Sequence, residues 1–279
     1  WRSLELHVFP QLANVLIKDL SAPKVIEVLK PLEAKGSLET VKRVCQRLNE
    51  IMTFAVNTGM LGSNPLVKVN VAFKSPKKQH MKSISPRELP QLMRAISMAN
   101  IHKTTRCLLE FQLHTITRPS EASGARWDEI DFQEKLWIIP ASRMKKRKIH
   151  QVPLSSHMLA LLKYTRSITP KSDYIFPSIK SPKLPMHSQT ANMALKRMGF
   201  AGRLVSHGLR SLASTTLNDE GFNRDVIESA LAHIDPNTTR SAYNRATYLD
   251  QRRDIMNWWS THIEHNSFGT LSILDKNYD

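Results

Sequence analysis

The stretch that decides the fold is Leu231-Ala232-His233-Ile234-Asp235-Pro236-Asn237-Thr238-Thr239-Arg240-Ser241-Ala242-Tyr243-Asn244-Arg245. It follows His207-Gly208-Leu209-Arg210 and, much earlier in the chain, Thr117-Arg118-Pro119-Ser120-Glu121. A tyrosine can attack a phosphodiester only where cations and hydrogen-bond donors neutralise the charge that develops on the phosphorus oxygens. The order Arg, His-x-x-Arg, His and Tyr therefore indicates that Tyr243 is a nucleophile with its binding site around it.

The composition indicates that the partner is a polyanion. The chain has 40 Lys and Arg against 24 Asp and Glu, a formal net charge of +16, and such an excess is typical of proteins that bind nucleic acid or an anionic membrane surface. No apolar run approaches the roughly 20 residues that a spanning helix needs, which disfavours the membrane. Cys45 and Cys107 are too few for a disulfide framework and lie in apolar helical patterns, so we expect buried free thiols in a reducing cytoplasm.

The first part of the chain predicts helices. Within residues 38–56 the apolar positions recur at steps of three and four while charged residues take the other face, which is the pattern of an amphipathic helix. A second helix is predicted over residues 22–34, with Ser21 as its N-cap and a kink or break at Pro31.

A basic segment divides the chain. Residues 74–82 carry several Lys side chains and have no apolar period, so they are typical of a linker. We predict a helical domain over residues 1–72, a basic linker over 73–83 and a second domain over 84–279.

The second part predicts helices around one small sheet. Helical patterns occupy residues 85–100 and 104–115 and return from residue 156 almost to residue 265. Between them lie three short β-rich runs, residues 130–132, 136–139 and 150–154. The predicted fold class is a mostly α protein with one small antiparallel β-sheet in the larger domain.

The spacing of the basic residues fits a phosphate site. Alone, Arg118 and Glu121 would be an exposed i,i+3 ion pair. His207 and Arg210, also at i,i+3, lie on one helix face, from which both can reach a single phosphate. Two guanidinium groups can supply the charge that metal ions supply in other phosphoryl-transfer sites, so we expect no metal and no other cofactor. There is also no Gly-x-x-x-x-Gly-Lys loop for ATP.

Together these motifs resemble the tyrosine recombinase, or phage integrase, family, specifically the P4-like integrases of prophages and genomic islands. The resemblance covers essentially the whole chain: residues 1–72 are similar to the helical core-binding domain and residues 84–279 to the α+β catalytic domain. It implies an enzyme, a site-specific DNA recombinase that cuts and rejoins strands through a 3′-phosphotyrosine intermediate and thereby integrates or excises a mobile element.

The resemblance also implies a role for each matching residue. Arg118 and Arg210 would bind the non-bridging oxygens of the scissile phosphate. His207 would exchange a proton with the nucleophile Tyr243, and His233 would donate to a phosphate oxygen.

The family has one further catalytic group, a lysine on a β-hairpin that protonates the leaving 5′ oxygen. Counting back from Val152-Pro153-Leu154 favours Lys145, with Lys146 as the runner-up. The chain departs from the family at Ile116, where many members have Gly.

The implied partners are double-stranded DNA at attachment-site core sequences, three further copies in a tetramer on that DNA, a host DNA-bending protein and an excisionase. The implied location is the cytoplasm, with the nucleoid. Two alternatives remain open: a non-catalytic sequence-specific DNA-binding protein, which has no use for Tyr243, and a type IB topoisomerase, which shares the chemistry but relaxes supercoils without a specific site.

The tail beyond Tyr243 predicts one more helix, over residues 248–262. Trp258 and Trp259 lie on its apolar face, and Arg252 and Arg253 are expected on another face. The apolar face serves either the domain's own core or a neighbouring protomer.

Overall fold

The computed structural model describes residues 1–77, 81–233, 248–269 and 271. Tyr243 and the rest of its motif beyond His233 therefore lie outside the described residues. The chain forms two compact units, Trp1–His80 and Met81–Asp279, each with its own hydrophobic core. Within the described part, no helix is both long enough and apolar enough to cross a bilayer.

The first unit is helical. Its helices are Arg2–His7 (α1), Phe9–Leu12 (α2), Ala22–Ala34 (α3) and Leu38–Asn57 (α4), with 3-10 turns at Ile17–Asp19 and Val69–Ala72. The predicted period of α4 is confirmed by its buried residues, Val41, Val44, Cys45, Leu48, Met52 and Ala55. Phe73 also packs into this core.

The predicted break at Pro31 does not occur, because α3 is a single helix through that residue. A proline inside a helix costs about 3 kcal/mol through one lost hydrogen bond and a steric clash. Val25 and Leu29 on the same helix are completely buried, and each such burial stabilises by about 1.5–3 kcal/mol. Tertiary packing therefore outweighs the local penalty.

The second unit surrounds a small sheet with helices. The strands are Ile130–Asp131 (β1), Leu136–Ile139 (β2) and His150–Pro153 (β3). The helices are Leu89–Met98 (α5), Lys103–Thr115 (α6), Pro119–Ser123 (α7), Ser156–Ile168 (α8), Thr190–Leu195 (α9), Gly208–Asp219 (α10), Arg224–Ala230 (α11) and Leu249–Ser267 (α12). Short 3-10 turns precede α5 at Pro86–Glu88, precede β1 at Trp127–Glu129 and follow β2 at Ala141–Arg143.

The sheet is antiparallel in the order β1-β2-β3, with Leu136 opposite Pro153 and Ile139 opposite His150. The predicted fold class, mostly α with one small antiparallel sheet, is confirmed. The β2–β3 connection leaves residues 145–149 exposed at the hairpin tip.

Helix α6 lies at the centre of the second core, and Phe111 on it packs against Trp137 and Phe176 at ring distances of 5.0 and 5.2 Å. The tail helix α12 packs against the same helix: Trp259 is fully buried, and its Nε1 donates to the Leu113 carbonyl at 2.8 Å. The apolar face of the tail helix therefore belongs to this chain's own core.

Both cysteines are buried free thiols, as predicted. Burial raises the pKa of Cys45 to about 11 and that of Cys107 to about 12. Neither thiol is therefore ionised at neutral pH.

Candidate active site

Arg118 is positioned by a tight turn at the end of α6. Ile116 adopts the left-handed conformation with φ of 49°, which is rare for a β-branched residue and normal for glycine. The cost of this conformation, about 1–3 kcal/mol, is offset by the burial of the Ile116 side chain, which is 1% exposed. The family's Gly thus matches a position where the backbone itself favours glycine.

Glu121 holds Arg118 in place. The carboxylate, whose side chain is 2% exposed, accepts from the Arg118 backbone N–H at 2.9 Å and from its Nη1 at 2.7 Å. The Arg118 Nη2 donates to the Ala232 carbonyl at 3.3 Å. Because a buried carboxylate needs a charged partner, this i,i+3 pair is part of the interior and differs from the exposed pair that the spacing alone predicts.

Arg210 joins three distant segments. It is buried, and its Nη1 and Nη2 donate to the carbonyls of Ile116 and Leu231, both at 2.5 Å. Its Nη2 also lies 3.3 Å from Nε2 of His233. Burial, and then the nearby charge of Arg118, lower the pKa of Arg210 to about 10, so the group is still cationic at neutral pH.

His233 follows α11 and is about half exposed. Its Nδ1 lies 2.8 Å from Glu228 Oε2, and its Nε2 faces Arg210. Because a guanidinium can only donate, Nε2 acts as the acceptor, and the imidazole proton sits on Nδ1 and is donated to Glu228.

His207 is the residue before α10, and its carbonyl accepts from the Arg210 backbone N–H at 3.2 Å. Burial, and then the charges of Arg210 and Arg118, lower the pKa of His207. The imidazole is therefore neutral at pH 7 and able to accept a proton.

The two arginines together are a candidate anion site. Each guanidinium has five N–H donors. Among the described residues, Arg118 uses two of its side-chain donors and Arg210 uses three. The donors that remain can bind the oxygens of an anionic group such as a phosphate.

The structure brings together four of the predicted site residues, Arg118, His207, Arg210 and His233. Lys145 and Lys146 are exposed in the β2–β3 hairpin. In the described part of the chain neither lysine has a hydrogen bond or ion pair, so the geometry does not choose between them. Tyr243 lies outside the described residues.

Sequence reasoning missed two buried groups beside the arginines. Burial, then Arg252, Arg210 and Arg118, lower the pKa of His150 to about 3, so a neutral imidazole at the start of β3 faces the cationic site. Arg252 is buried and donates to the Gln151 carbonyl. It therefore does not lie on an outer face of the tail helix. The sequence did contain a signal for this burial: Arg252 precedes the buried Ile255 and Trp259 by three and seven residues, a spacing that puts all three on one helix face.

The described residues contain no group of three or more His, Cys, Asp or Glu side chains arranged to hold a metal ion.

Comparison with known proteins identifies the family to which this chain belongs. The model of the phage integrase family matches residues 82–249, and that of the phage integrase central domain matches residues 1–72. The chain belongs to the phage integrase family.

Individual relatives place it near the P4-like integrases, as the motifs predicted. It is 51% identical to the prophage integrase IntA of Escherichia coli (strain K12) over 271 residues, which are 97% of this chain and 66% of the relative. It is 30% identical to the integrase of Enterobacteria phage P4, over 98% of this chain and 66% of that protein. The chain thus spans 66% of the length of these relatives.

Solved structures share the fold. A lambda integrase (75-356) dimer bound to a COC' core site has a TM-score of 0.67 at 16% identity, over 85% of this chain and 88% of that one. The Tn1549 transposon integrase (aa 82-397) in complex with circular intermediate DNA has a TM-score of 0.66 at 14% identity, over 91% of both chains. At such identities the likeness establishes the fold of a tyrosine recombinase.

Proposed function

We propose that this chain is the core-binding and catalytic part of a site-specific DNA recombinase that integrates or excises a mobile element. The observation that carries the proposal is the convergence of Arg118 and Arg210. Their guanidiniums bind the consecutive carbonyls of Ala232 and Leu231, directly before His233. Both guanidiniums keep N–H donors that can bind an anion, and the recombinase chemistry proposed here assigns that anion to the scissile phosphate of DNA.

In the cleavage step the Tyr243 oxygen bonds to phosphorus while the bond from phosphorus to the 5′ oxygen breaks. The tyrosine proton passes to His207, whose neutral state at pH 7 suits it to accept. Arg118 and Arg210 stabilise the additional negative charge of the pentavalent transition state through their remaining N–H donors. The product is a 3′-phosphotyrosine, which preserves the phosphodiester's energy for rejoining.

Two further groups complete the step. Lys145 gives a proton to the departing 5′ oxygen, so that the leaving group is a hydroxyl. His233 donates from Nε2 to a phosphate oxygen, which requires Nε2 to carry a proton. His233 must therefore exchange its present role, as acceptor from Arg210, for that of a donor when DNA binds.

The partners follow from the same proposal. Residues 1–72 and 84–279 both contact double-stranded DNA at the core site, joined by the basic linker 73–83. A tetramer forms on paired sites, assisted by a host DNA-bending protein and an excisionase. One solved structure that shares the fold, at 16% identity, is a lambda integrase tetramer bound to a Holliday junction. The protein works in the cytoplasm, on the nucleoid.

A trapping substrate tests the reaction. The chain is incubated with attachment-site DNA that carries a nick beside the cleavage position, so that a short 5′ product diffuses away and the covalent adduct accumulates. We expect an adduct with the parental chain, none with Tyr243→Phe at similar DNA affinity, and unchanged yield in excess EDTA because arginines supply the charge. An adduct with Tyr243→Phe would refute the assignment.

The adduct assay and a plasmid relaxation assay together separate the alternatives. A non-catalytic DNA-binding protein forms no adduct. A type IB topoisomerase relaxes supercoiled plasmid whether or not the attachment site is present, whereas a recombinase requires the site.

The hairpin lysine is tested with a substrate whose 5′ bridging oxygen is replaced by sulfur, because a thiolate leaves without a proton. Lys145→Ala should be slow on the oxygen substrate and near normal on the sulfur substrate. Rescue of Lys146→Ala, and not of Lys145→Ala, would assign the general acid to Lys146.

A further inference from the structure

Arg143 links the hairpin to the turn that carries Arg118. It ends the 3-10 turn Ala141–Arg143, two residues before Lys145. Its guanidinium donates through Nη1 to the carboxylate of Glu129 and through Nη2 to the backbone carbonyl of Glu121 at 2.6 Å. Glu121 is the residue whose carboxylate holds Arg118, so one guanidinium joins the hairpin to the anion site.

The carboxylate of Glu129, to which Arg143 donates, is buried and has further hydrogen-bond donors. Its side chain is 6% exposed, and its Oε2 also accepts from Trp137 Nε1 at 2.9 Å and from the Arg126 backbone N–H at 3.2 Å. Within the described residues, Arg143 is the only cation that pairs with it. The buried carboxylate and its neutral donors therefore fix the position of the guanidinium from one side.

The chain leaves room for the guanidinium at Gly124. A Cβ at this position would lie 2.9 Å from Arg143 Nη2 and 3.2 Å from the Ser120 carbonyl. Because Gly124 has a φ of −94°, which any residue can adopt, the value of glycine here is the space it leaves.

The buried part of the β2–β3 connection ends just before Lys145. Met144 is buried in the core of the second unit, whereas residues 145–149 are exposed. Arg143 and Met144 are thus the last two residues before Lys145, and both side chains are held by contacts with the second unit. A lysine on an unrestrained hairpin tip could occupy many positions. Only one of them places the ammonium beside the leaving oxygen, and time spent in the others lowers the rate.

We propose that Arg143 is a positioning residue, which holds the hairpin so that Lys145 meets the leaving oxygen of the phosphate bound by Arg118. The proposal rests on the proposed function. Arg143 touches neither the phosphate nor the leaving group. It acts through Lys145, and its loss removes the proton donor from the site without removing the lysine.

The test compares oxygen and sulfur leaving groups at saturating DNA. General acid catalysis typically contributes 10²- to 10⁴-fold, so Arg143→Gln should form the adduct about 10- to 100-fold more slowly on the oxygen substrate. On the sulfur substrate it should come within about threefold of the parental chain, since no proton is then needed. Arg147→Gln, an exposed arginine in the same hairpin, is the matched control and should be near normal on both substrates.

A second variant separates positioning from folding. Arg143→Gln leaves the buried Glu129 carboxylate unpaired, which destabilises the domain. In the double variant Glu129→Gln with Arg143→Gln the buried charge is removed while a side-chain oxygen still accepts from Trp137. It should melt close to the parental chain and keep the loss that is specific to the oxygen substrate.

The two proposals fail differently. Equal slowing of the double variant on both substrates, or no slowing on either, overturns the role of Arg143 while the recombinase assignment stands. Absence of any adduct from the parental chain refutes the recombinase function and the role of Arg143 with it.

Discussion

At the scale of the residue, the two arginines are fixed by different partners. Arg118 is held by a carboxylate and one carbonyl, whereas Arg210 is held by two carbonyls and an imidazole. In the proposed function each must span these partners and still present N–H groups to a phosphate. Only a planar fork of five donors has that geometry, and a lysine ammonium does not.

We therefore expect Arg118→Lys and Arg210→Lys each to reduce single-turnover adduct formation by 100-fold or more, the order of magnitude for removing one transition-state donor, about 10²–10³. Arg203→Lys is the control, because Arg203 is about half exposed and pairs with Glu88. Adduct formation by Arg118→Lys or Arg210→Lys within threefold of that control would mean that the arginine has a structural role only.

At the scale of the element, helices α6 and α12 are joined by a buried polar contact. His114 on α6 is 1% exposed, and its Nδ1 lies 3.0 Å from Ser260 Oγ on α12, which lies 2.7 Å from Ser155 Oγ. Burial, and then the neighbouring His157, lower the pKa of His114 to about 3. The contact joins the helix that precedes Arg118 to the helix that follows the motif containing Tyr243.

The burial of His114 makes stability depend on pH. A histidine titrates near 6.5 in the unfolded chain and His114 near 3 in the folded one. Between those values the unfolded chain binds a proton that the folded chain excludes, so the free energy of unfolding falls as pH falls below about 6.5. Each such histidine contributes about 1.4 kcal/mol per pH unit.

Urea unfolding at pH 7 and pH 5 measures this slope. His114→Asn should have a smaller loss of stability between the two pH values, whereas His265→Asn, at an exposed position of α12, should keep the parental loss. Identical slopes for His114→Asn and the parental chain would show that His114 is not the titrating group.

Helix α12 also contributes apolar side chains to the core of the second unit. Trp259 is fully buried, whereas Trp258 is partly buried against Phe222 and His262 at ring distances of 5.2 and 4.9 Å. Trp259→Ala should lower the free energy of unfolding by about 3–5 kcal/mol, as for other large core truncations, and Trp258→Ala by clearly less.

Thermal melts of Trp259→Ala and Trp258→Ala compare their stabilities. Deletion of residues 249–279 tests the whole tail helix in the same way. The deletion should unfold the second unit, because it removes this part of the core. A truncated chain that melts like the parental one, yet fails to bring two DNA sites together, would instead assign the tail helix to contacts between protomers.

At the scale of the whole molecule, the net charge bears on the proposed assembly. Protomers with a net charge of +16 repel one another, and the proposed binding to DNA would neutralise part of that charge. We expect the chain to be a monomer at micromolar concentration without DNA and to assemble on DNA with two core sites. Sedimentation of Tyr243→Phe with and without that DNA measures this, and a stable tetramer in the absence of DNA would contradict it.

The sequence by itself determined the local elements. The period of α4 and the three β-rich runs followed from side-chain spacing, which depends only on neighbouring residues. The observed strands match those runs to within one residue at their ends. The identities of Arg118, His207, Arg210 and His233 as site candidates came from the order of the motifs and the resemblance that they carry.

Only the tertiary structure decided how those residues are held. Three sets of contacts join residues that are far apart in the chain. They are the bonds from Arg210 to the carbonyls of Ile116 and Leu231, the link from Arg143 to Glu121 and Glu129, and the packing of Trp259 into the core of its own chain. The same principle explains the unbroken helix at Pro31, where a local rule yielded to packing. Periodicity reports which face of an element is apolar, but the partner of that face depends on the path of the whole chain.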